Sequence, residues 1–405
     1  MKDQLINILN KLPLTRVKNG DFNSFTCIWI AILITLCFQM PGSADAQQKN
    51  ASRKSINFPF EAAYWDTAST KSAFVNFKGM KVLKMKPNTN PVVLKNYKLS
   101  NGTIEFDTQP VDVKGFSPIG VYFRRSGEKE SEYIYFRTKV DDRKRDDDDI
   151  QYVPIIKGSL PFNMYSHFDG PADFHDDQWN HVKIVLSGVQ MKVYVNNMTE
   201  TVLDVPRLES NSSSGTIGFD GQAYFANVVI SLGDTDGLSP LEGIDPTRHD
   251  VNYIRRWERN TARILPQGKE LTVQDLPGDT AKWVPILAER RGMVNLTRTY
   301  GGCDTNRYVW LKTNIVSSKD QLMQCQLGFC DEVYVFVNRK LIAADKNQFG
   351  QPMSKFPNGC LNIDNSVITL PLKKGDNELL IGLVNNFYGW GIMARLRSLA
   401  GITIL

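Results

Sequence analysis

The sequence predicts an all-β fold of two β-sandwich (jelly-roll) domains joined by a linker with a short helix, and three observations carry this. Short runs of alternating apolar and polar residues recur along the chain, separated by turns rich in Gly, Asn, Asp and Ser. β-Branched and aromatic residues crowd those runs, as half-buried pleated strands require. Helical periodicity is nearly absent: only Val251 to Ile264, with Val251, Ile254 and Trp257 at helical spacing, is expected to be helical. At 405 residues the chain has room for two domains, each with its own core. Its net charge of +5 comes from Lys and Arg interspersed with Asp and Glu, without a basic arm, so nucleic acid is not an expected partner.

In chain order, Lys2, Lys11, Arg16 and Lys18 precede an apolar run from Cys27 to Met40, and Ala44-Asp45-Ala46 follows. Basic region, apolar run and Ala-x-Ala spell an export signal, cleaved after Ala46. The apolar run falls short of the roughly 20 residues that span a bilayer. Residues 1–46 are therefore read as a signal peptide and the protein as secreted or periplasmic, with no stable membrane span after cleavage; an uncleaved anchor is the alternative. A first sandwich is expected over 47–233. Its strands include Gly102 to Asp107, Ile119 to Arg124, Glu132 to Arg137, Gln151 to Ile155, Gly215 to Asp220 and Ala223 to Ser231. The charge run Arg143 to Asp149 reads as a solvated loop.

The clearest hairpin is Trp179 to Asn196. Val182, Ile184 and Leu186 alternate with polar or opposite-facing positions, Ser187-Gly188 breaks the run, and Val189, Met191, Val193 and Val195 resume it. Residues 234–300 form the linker, with Gly233 to Pro246 as its Gly/Pro/Asp/Ser-rich start and an extended, irregular 270–300 expected to pack between the domains. The second sandwich, 301–405, takes strands at Arg307 to Val316, Val333 to Val337, Val367 to Leu372, Glu378 to Val384 and Trp390 to Leu396. Four cysteines follow the signal: Cys303, Cys325, Cys330 and Cys360. Disulfides and buried thiols are both open readings; on one continuous strand Cys325 and Cys330 would face opposite ways and lie too far apart to bridge, whereas a turn at Gly328 would change that.

The Trp179 hairpin, a Trp opening a strand and a partner strand ending in Val193-Tyr194-Val195-Asn196, resembles laminin-G-like members of the concanavalin A-like lectin and glucanase superfamily. That resemblance extends over about residues 55–233 and implies a β-sandwich. The pieces VYVFVNRKLI (from Val333) and LPLKKGDNELLIGL (from Leu370) with GWGIMARL (from Gly389) resemble the galactose-binding-like jelly roll. This module includes the sugar-binding domain of family 2 glycoside hydrolases, and its Asn-Gly turn is altered here to Asn338-Arg339. Both resemblances imply carbohydrate.

Three constellations are candidates for chemistry. Concanavalin-like glucanases carry three acidic residues at alternate strand positions; here the series is Glu105, Asp107 and Gln109, and glutamine cannot serve as the acid, so the set is incomplete. The second is Arg124, Glu132, Tyr135, Arg137, Gln151 and Tyr152, which resembles a pattern in bacterial secreted laminin-G-like proteins and, more loosely, in 3-keto-disaccharide hydrolases. Guanidinium and carboxylate groups suit vicinal hydroxyls, and tyrosine rings suit the apolar faces of sugars. Against this, strand parity places Glu132 opposite Tyr135 and Arg137, and an Arg–Glu pair also serves purely to join strands. The third is calcium, for which Asp169, Asp173, Asp176 and Asp177, or Asp146 to Asp149, offer oxygens without EF-hand spacing. No other cofactor is expected, and no Ser-His-Asp elbow or phosphate-binding glycine loop is present. The expected function is that of an exported carbohydrate-binding or glycan-associated protein, leaning away from an enzyme. The alternatives are a hydrolase of a sugar derivative with Glu132 or Asp107 as acid or base, and an adhesion module with no small ligand.

Overall fold

Strands dominate because the alternating runs find partners in four antiparallel sheets. The computed structural model describes residues 54–68, 70–86, 90–111, 118–138 and 149–405. The export signal read at 1–46 and the charge run at 143–148 lie outside the described residues.

The first sandwich is an eight-stranded sheet, here sheet one, against a seven-stranded sheet two. Gly102–Pro110, Asn180–Ser187, Gln190–Val195 and Ala223–Leu232 form the middle of sheet one. Ile119–Gly127, Glu130–Phe136, Ile150–Ile156 and Thr216–Asp220 form that of sheet two. In the Trp179 hairpin Val182, Ile184 and Leu186 pair with Val195, Val193 and Met191, and all six are buried. The expected alternation is thus the observed register. Phe219 of sheet two meets Phe106 and Phe225 of sheet one at ring-centroid distances of 5.1 and 4.6 Å, which marks the face of each sheet that looks into the core.

The second sandwich packs an eight-stranded sheet three against a four-stranded sheet four. Arg307–Ser317, Gly375–Asn385 and Glu332–Val337 are central to sheet three, and Gln321–Cys330 and Gly391–Leu396 to sheet four. The altered turn Asn338-Arg339 keeps the geometry its position needs: both residues are left-handed, φ 49° and 63°, as a two-residue hairpin demands.

The helix expected over 251–264 is not formed. Arg256–Arg259 is a strand, paired with Val284–Leu287 on one side and with Lys312 and Leu311 on the other. Ile254 and Trp257 are buried but Val251 is 72% exposed, so the three never share a buried helical face. An open sheet edge satisfies the backbone of this stretch as well as a helix would. The one α-helix among the described residues is Thr297–Tyr300. Nor does all of 270–300 pack between the sandwiches: Leu265, Leu271 and Trp283 cover Trp310 and Phe336 on the outer face of sheet three. Met293–Asn295 is a strand of sheet four. The four cysteines are free thiols, Cys325 and Cys330 on one strand. Among the described residues no helix is long and apolar enough to cross a membrane.

Both sandwiches belong to one unit, Arg53–Leu405. Met293, Cys330, Leu361 and Met393 of the second join the hydrophobic cluster of the first. Asn163 and Gly389 exchange two hydrogen bonds, of 2.9 and 3.2 Å, across this contact.

Candidate functional site

Register divides the six candidate residues into two groups. Val121, Ile134 and Tyr152 pair across sheet two on the face that Phe219 marks as internal, and Phe123 pairs with Glu132 on that same side. Glu132 is 1% exposed; it accepts hydrogen bonds from Tyr152 Oη at 2.6 Å and Ser210 Oγ at 2.7 Å. Burial raises its pKa, against the opposing pull of these hydrogen bonds and of Arg124. Arg124, 2% exposed, donates from Nε to Ser100 O at 2.9 Å and from Nη2 to Gly188 O at 2.7 Å. Arg124, Glu132 and Tyr152 thus tie loops of both sheets together inside the sandwich, out of reach of a ligand on the outer face.

Tyr135, Arg137 and Gln151 do come together. Tyr135 pairs with Gln151 and with Gly120, and Tyr133 with Tyr122, so these residues share the outer face of sheet two. Tyr135 Oη donates to Gln151 Oε1, and Arg137 Nη2 donates to the same oxygen at 2.6 Å and to Tyr135 Oη at 3.0 Å. The Arg137 guanidinium lies over the Tyr135 ring, 5.1 Å from its centroid, and 3.9 Å from Asp169. The side chains of Arg137 and Asp169 are 19% and 21% exposed, whereas Tyr135 is almost covered. The network therefore opens to solvent at its charged end.

Sequence reasoning missed the rest of this face. Tyr122 and Tyr133 stack at 4.3 Å, and Tyr133 and Tyr135 at 5.6 Å, forming a row of three rings. Asp220 accepts from Tyr122 Oη at 2.9 Å and Tyr133 Oη at 3.0 Å, and burial pushes its pKa up to about 6. Gly120 makes the row possible, since a Cβ there would stand 2.1 Å from Tyr133 Oη. Two-residue parity back from Tyr135 reaches Tyr133; Tyr122 and Asp220 join only through cross-strand register, which a single strand does not reveal. Equally hidden was the ridge beside the charged end. Gln151 Nε2 donates to Phe162 O at 3.1 Å, and the Phe162 ring meets Phe349 and Tyr388 at 5.0 and 5.1 Å. Phe349 stacks on Phe387 at 5.5 Å. Three of these four rings come from the second sandwich.

The incomplete acidic series lies elsewhere, on the outer face of sheet one. His181 bridges it, with Nδ1 2.7 Å from Asp107 and Nε2 3.4 Å from Glu105; these hydrogen bonds, Asp107's foremost, raise its pKa. Asn227 Nδ2 donates to Asp107 at 2.6 Å, and Gln109 accepts from Lys78 and donates to Asp177 O. Asp107 and Glu132 sit on different sheets and different faces, so they cannot act on one bond. Among the described residues no group of three or more His, Cys, Asp or Glu side chains is gathered as a metal site. Of the proposed calcium ligands, Asp169 faces Arg137 and Asp173 faces His175 at 3.7 Å, while Asp146 to Asp148 lie outside the described residues.

No protein-family model and no curated protein sequence matches this chain. Solved structures that resemble parts of it include the carbohydrate-binding module CBM66 from Bacillus subtilis, at 19% identity over 41% of this chain and 95% of that one, with a TM-score of 0.32. Another is a GlcNAcα1-4Gal-releasing endo-β-galactosidase from Clostridium perfringens, at 10% identity over 65% and 91%, TM-score 0.33. A third is a protein of unknown function with a galectin-like fold from Bacillus subtilis, at 10% identity over 44% and 98%, TM-score 0.27.

Proposed function

We propose that the protein binds a carbohydrate at the charged end of the outer face of sheet two, without turning it over. The observation that carries this is the hydrogen-bonded set Tyr135–Gln151–Arg137, open to solvent at Arg137 and Asp169 and bordered by the Phe162–Phe349–Phe387–Tyr388 ridge. A guanidinium and a carboxylate side by side match a pair of vicinal hydroxyls, and the rings offer an apolar surface to a sugar face. Binding without hydrolysis fits the burial of Glu132 and the place of Asp107 on the other sheet, away from this face. The ridge makes the site composite, and an export signal at residues 1–46 would place it where extracellular glycans are met.

The test is a polysaccharide and glycan panel, followed by calorimetry on whatever binds. Arg137→Ala should weaken affinity about ten- to a hundredfold, the roughly 1.5–3 kcal/mol of a charged hydrogen bond, with little change in melting temperature. Glu132→Gln should do the reverse, lowering the melting temperature and leaving affinity intact. If Arg137→Ala instead destabilises the fold and no glycan binds the parent protein, the network is a structural clamp and the adhesion reading takes its place.

A further inference from the structure

A cavity of about 190 Å³ lies where the two sandwiches meet, against Tyr165 and other members of the interior cluster. Its volume exceeds the roughly 150 Å³ of an apolar cavity known to accept benzene. Met164, Phe168, Ile363 and Met393 supply apolar wall, and His167 and Arg291 line it too.

Arg298 holds two of the nearby carboxylates: it contacts Glu289, and its Nη2 is 3.3 Å from Glu209 Oε2. Arg290 is also engaged, donating to Gly243 O at 3.1 Å and Ile244 O at 2.7 Å and lying 3.6 Å from Glu242. The Arg291 guanidinium has no hydrogen-bond or ion-pair partner among the described residues, nor has either ring nitrogen of His167. Arg291 also holds a left-handed backbone, φ 60°, with its N–H directed at the Asp245 carboxylate, 3.3 Å away. Non-glycine residues kept in that region cluster where a side chain must be aimed. Burial, then Arg291 and Arg290, push the His167 pKa down to about 3, so the imidazole is neutral.

We propose that this cavity binds a small organic monocarboxylate, up to the size of a monosaccharide acid, with Arg291 as its counter-ion and His167 as a hydrogen-bond partner. One guanidinium without a side-chain hydrogen bond, with Asp245 acting on it only at longer range, matches one negative charge, and Glu209 and Glu289 beyond Arg298 disfavour a dianion. The apolar walls suit the body of such a ligand. This site is separate from the outer face of sheet two, and neither assignment depends on the other.

Calorimetry on the full chain with two matched pairs, glucuronate against glucose and benzoate against benzamide, tests it. At least one carboxylate should bind, its neutral partner at least about tenfold more weakly, as the loss of a charged hydrogen bond implies. Arg291→Asn, a residue that tolerates left-handed backbone, should weaken the carboxylate about tenfold or more while the melting temperature holds, and Arg291→Lys should recover part of the loss. Arg137→Ala should leave this binding unchanged, which separates the cavity from the glycan face. The proposal is overturned if neither carboxylate binds up to about 10 mM. It is equally overturned if charged and neutral partners bind alike, or if folded Arg291→Asn binds the carboxylate as the parent does.

Discussion

At the scale of single residues, buried carboxyls set how this protein meets pH. Asp331 is fully buried; its Oδ2 accepts from the N–H of Asn386 at 2.7 Å and of Phe387 at 2.9 Å, while Oδ1 has no partner. The side-chain oxygen of the neighbouring Asn385 is likewise buried without a donor. Burial pushes the Asp331 pKa up to about 8, above the opposing pull of these N–H groups and of the Asn385 side chain. The folded state then keeps a proton that the unfolded chain gives up near pH 4, so stability falls as pH rises until about pH 8. Glu209, pushed up to about 7, and Asp220, up to about 6, act in the same direction and finish earlier. His167, held down to about 3, opposes them, because the unfolded chain takes up its proton below about pH 6.5; its contribution ends above that pH. Denaturant titrations of Asp331→Asn and the parent should therefore diverge between about pH 6 and 8, the parent losing about 2–3 kcal/mol more. Asparagine keeps an acceptor for both backbone N–H groups and its size matches aspartate's, so the variant should fold. Parallel pH profiles would place the Asp331 proton elsewhere.

At the scale of elements, one turn joins the two sheets of the first sandwich. Gly188 has φ 53°, and a Cβ there would come within 1.9 Å of Pro240 O. Its carbonyl accepts from Arg124 and its N–H donates to Asn101 Oδ1 at 2.8 Å. Alanine would thus strain the backbone, push Pro240 away and disturb the buried Arg124. Gly188→Ala is expected to cost roughly 2 kcal/mol or more. Gly79 is the comparison: φ is 79° but a Cβ would meet nothing within 4 Å, so Gly79→Ala should cost only about 1 kcal/mol of backbone strain. Equal losses in chemical denaturation would mean that the close approach to Pro240 carries no energy.

At the scale of the whole molecule, the contact between the sandwiches is part of the core. Leu361 N–H donates to Asn163 O at 2.7 Å, Lys157 Nζ to Thr299 O at 2.7 Å, and Arg298 Nη2 to Glu209 O at 2.8 Å. Met164 and Tyr165, both 1% exposed, lose apolar cover if the second sandwich is removed. We expect the full chain to melt in a single transition and a fragment of residues 54–234 to melt lower, with increased binding of a hydrophobic dye. Two transitions in the full chain, one at the fragment's temperature, would show instead that Gly233 to Pro246 separates independent domains.

The sequence by itself determined what depends on neighbours along one strand. Alternation fixes the face of every side chain, so the Val182/Ile184/Leu186 hairpin and the shared face of Tyr135 and Arg137 were legible, as was Glu132 on the opposite side. Turn chemistry was legible as well, at Ser187-Gly188 and at Asn338-Arg339. Only the tertiary structure decided which face is internal and which strands adjoin. Pairing on both sides of Arg256–Arg259 displaced a helix that local spacing favoured. Cross-strand register brought Tyr122, Tyr133 and Asp220 together, and packing between sandwiches set Phe349, Phe387 and Tyr388 beside Phe162 and placed Arg291 at the wall of a cavity. These are contacts between residues tens to hundreds of positions apart, and a pattern with a period of two or 3.6 residues carries no information at that separation.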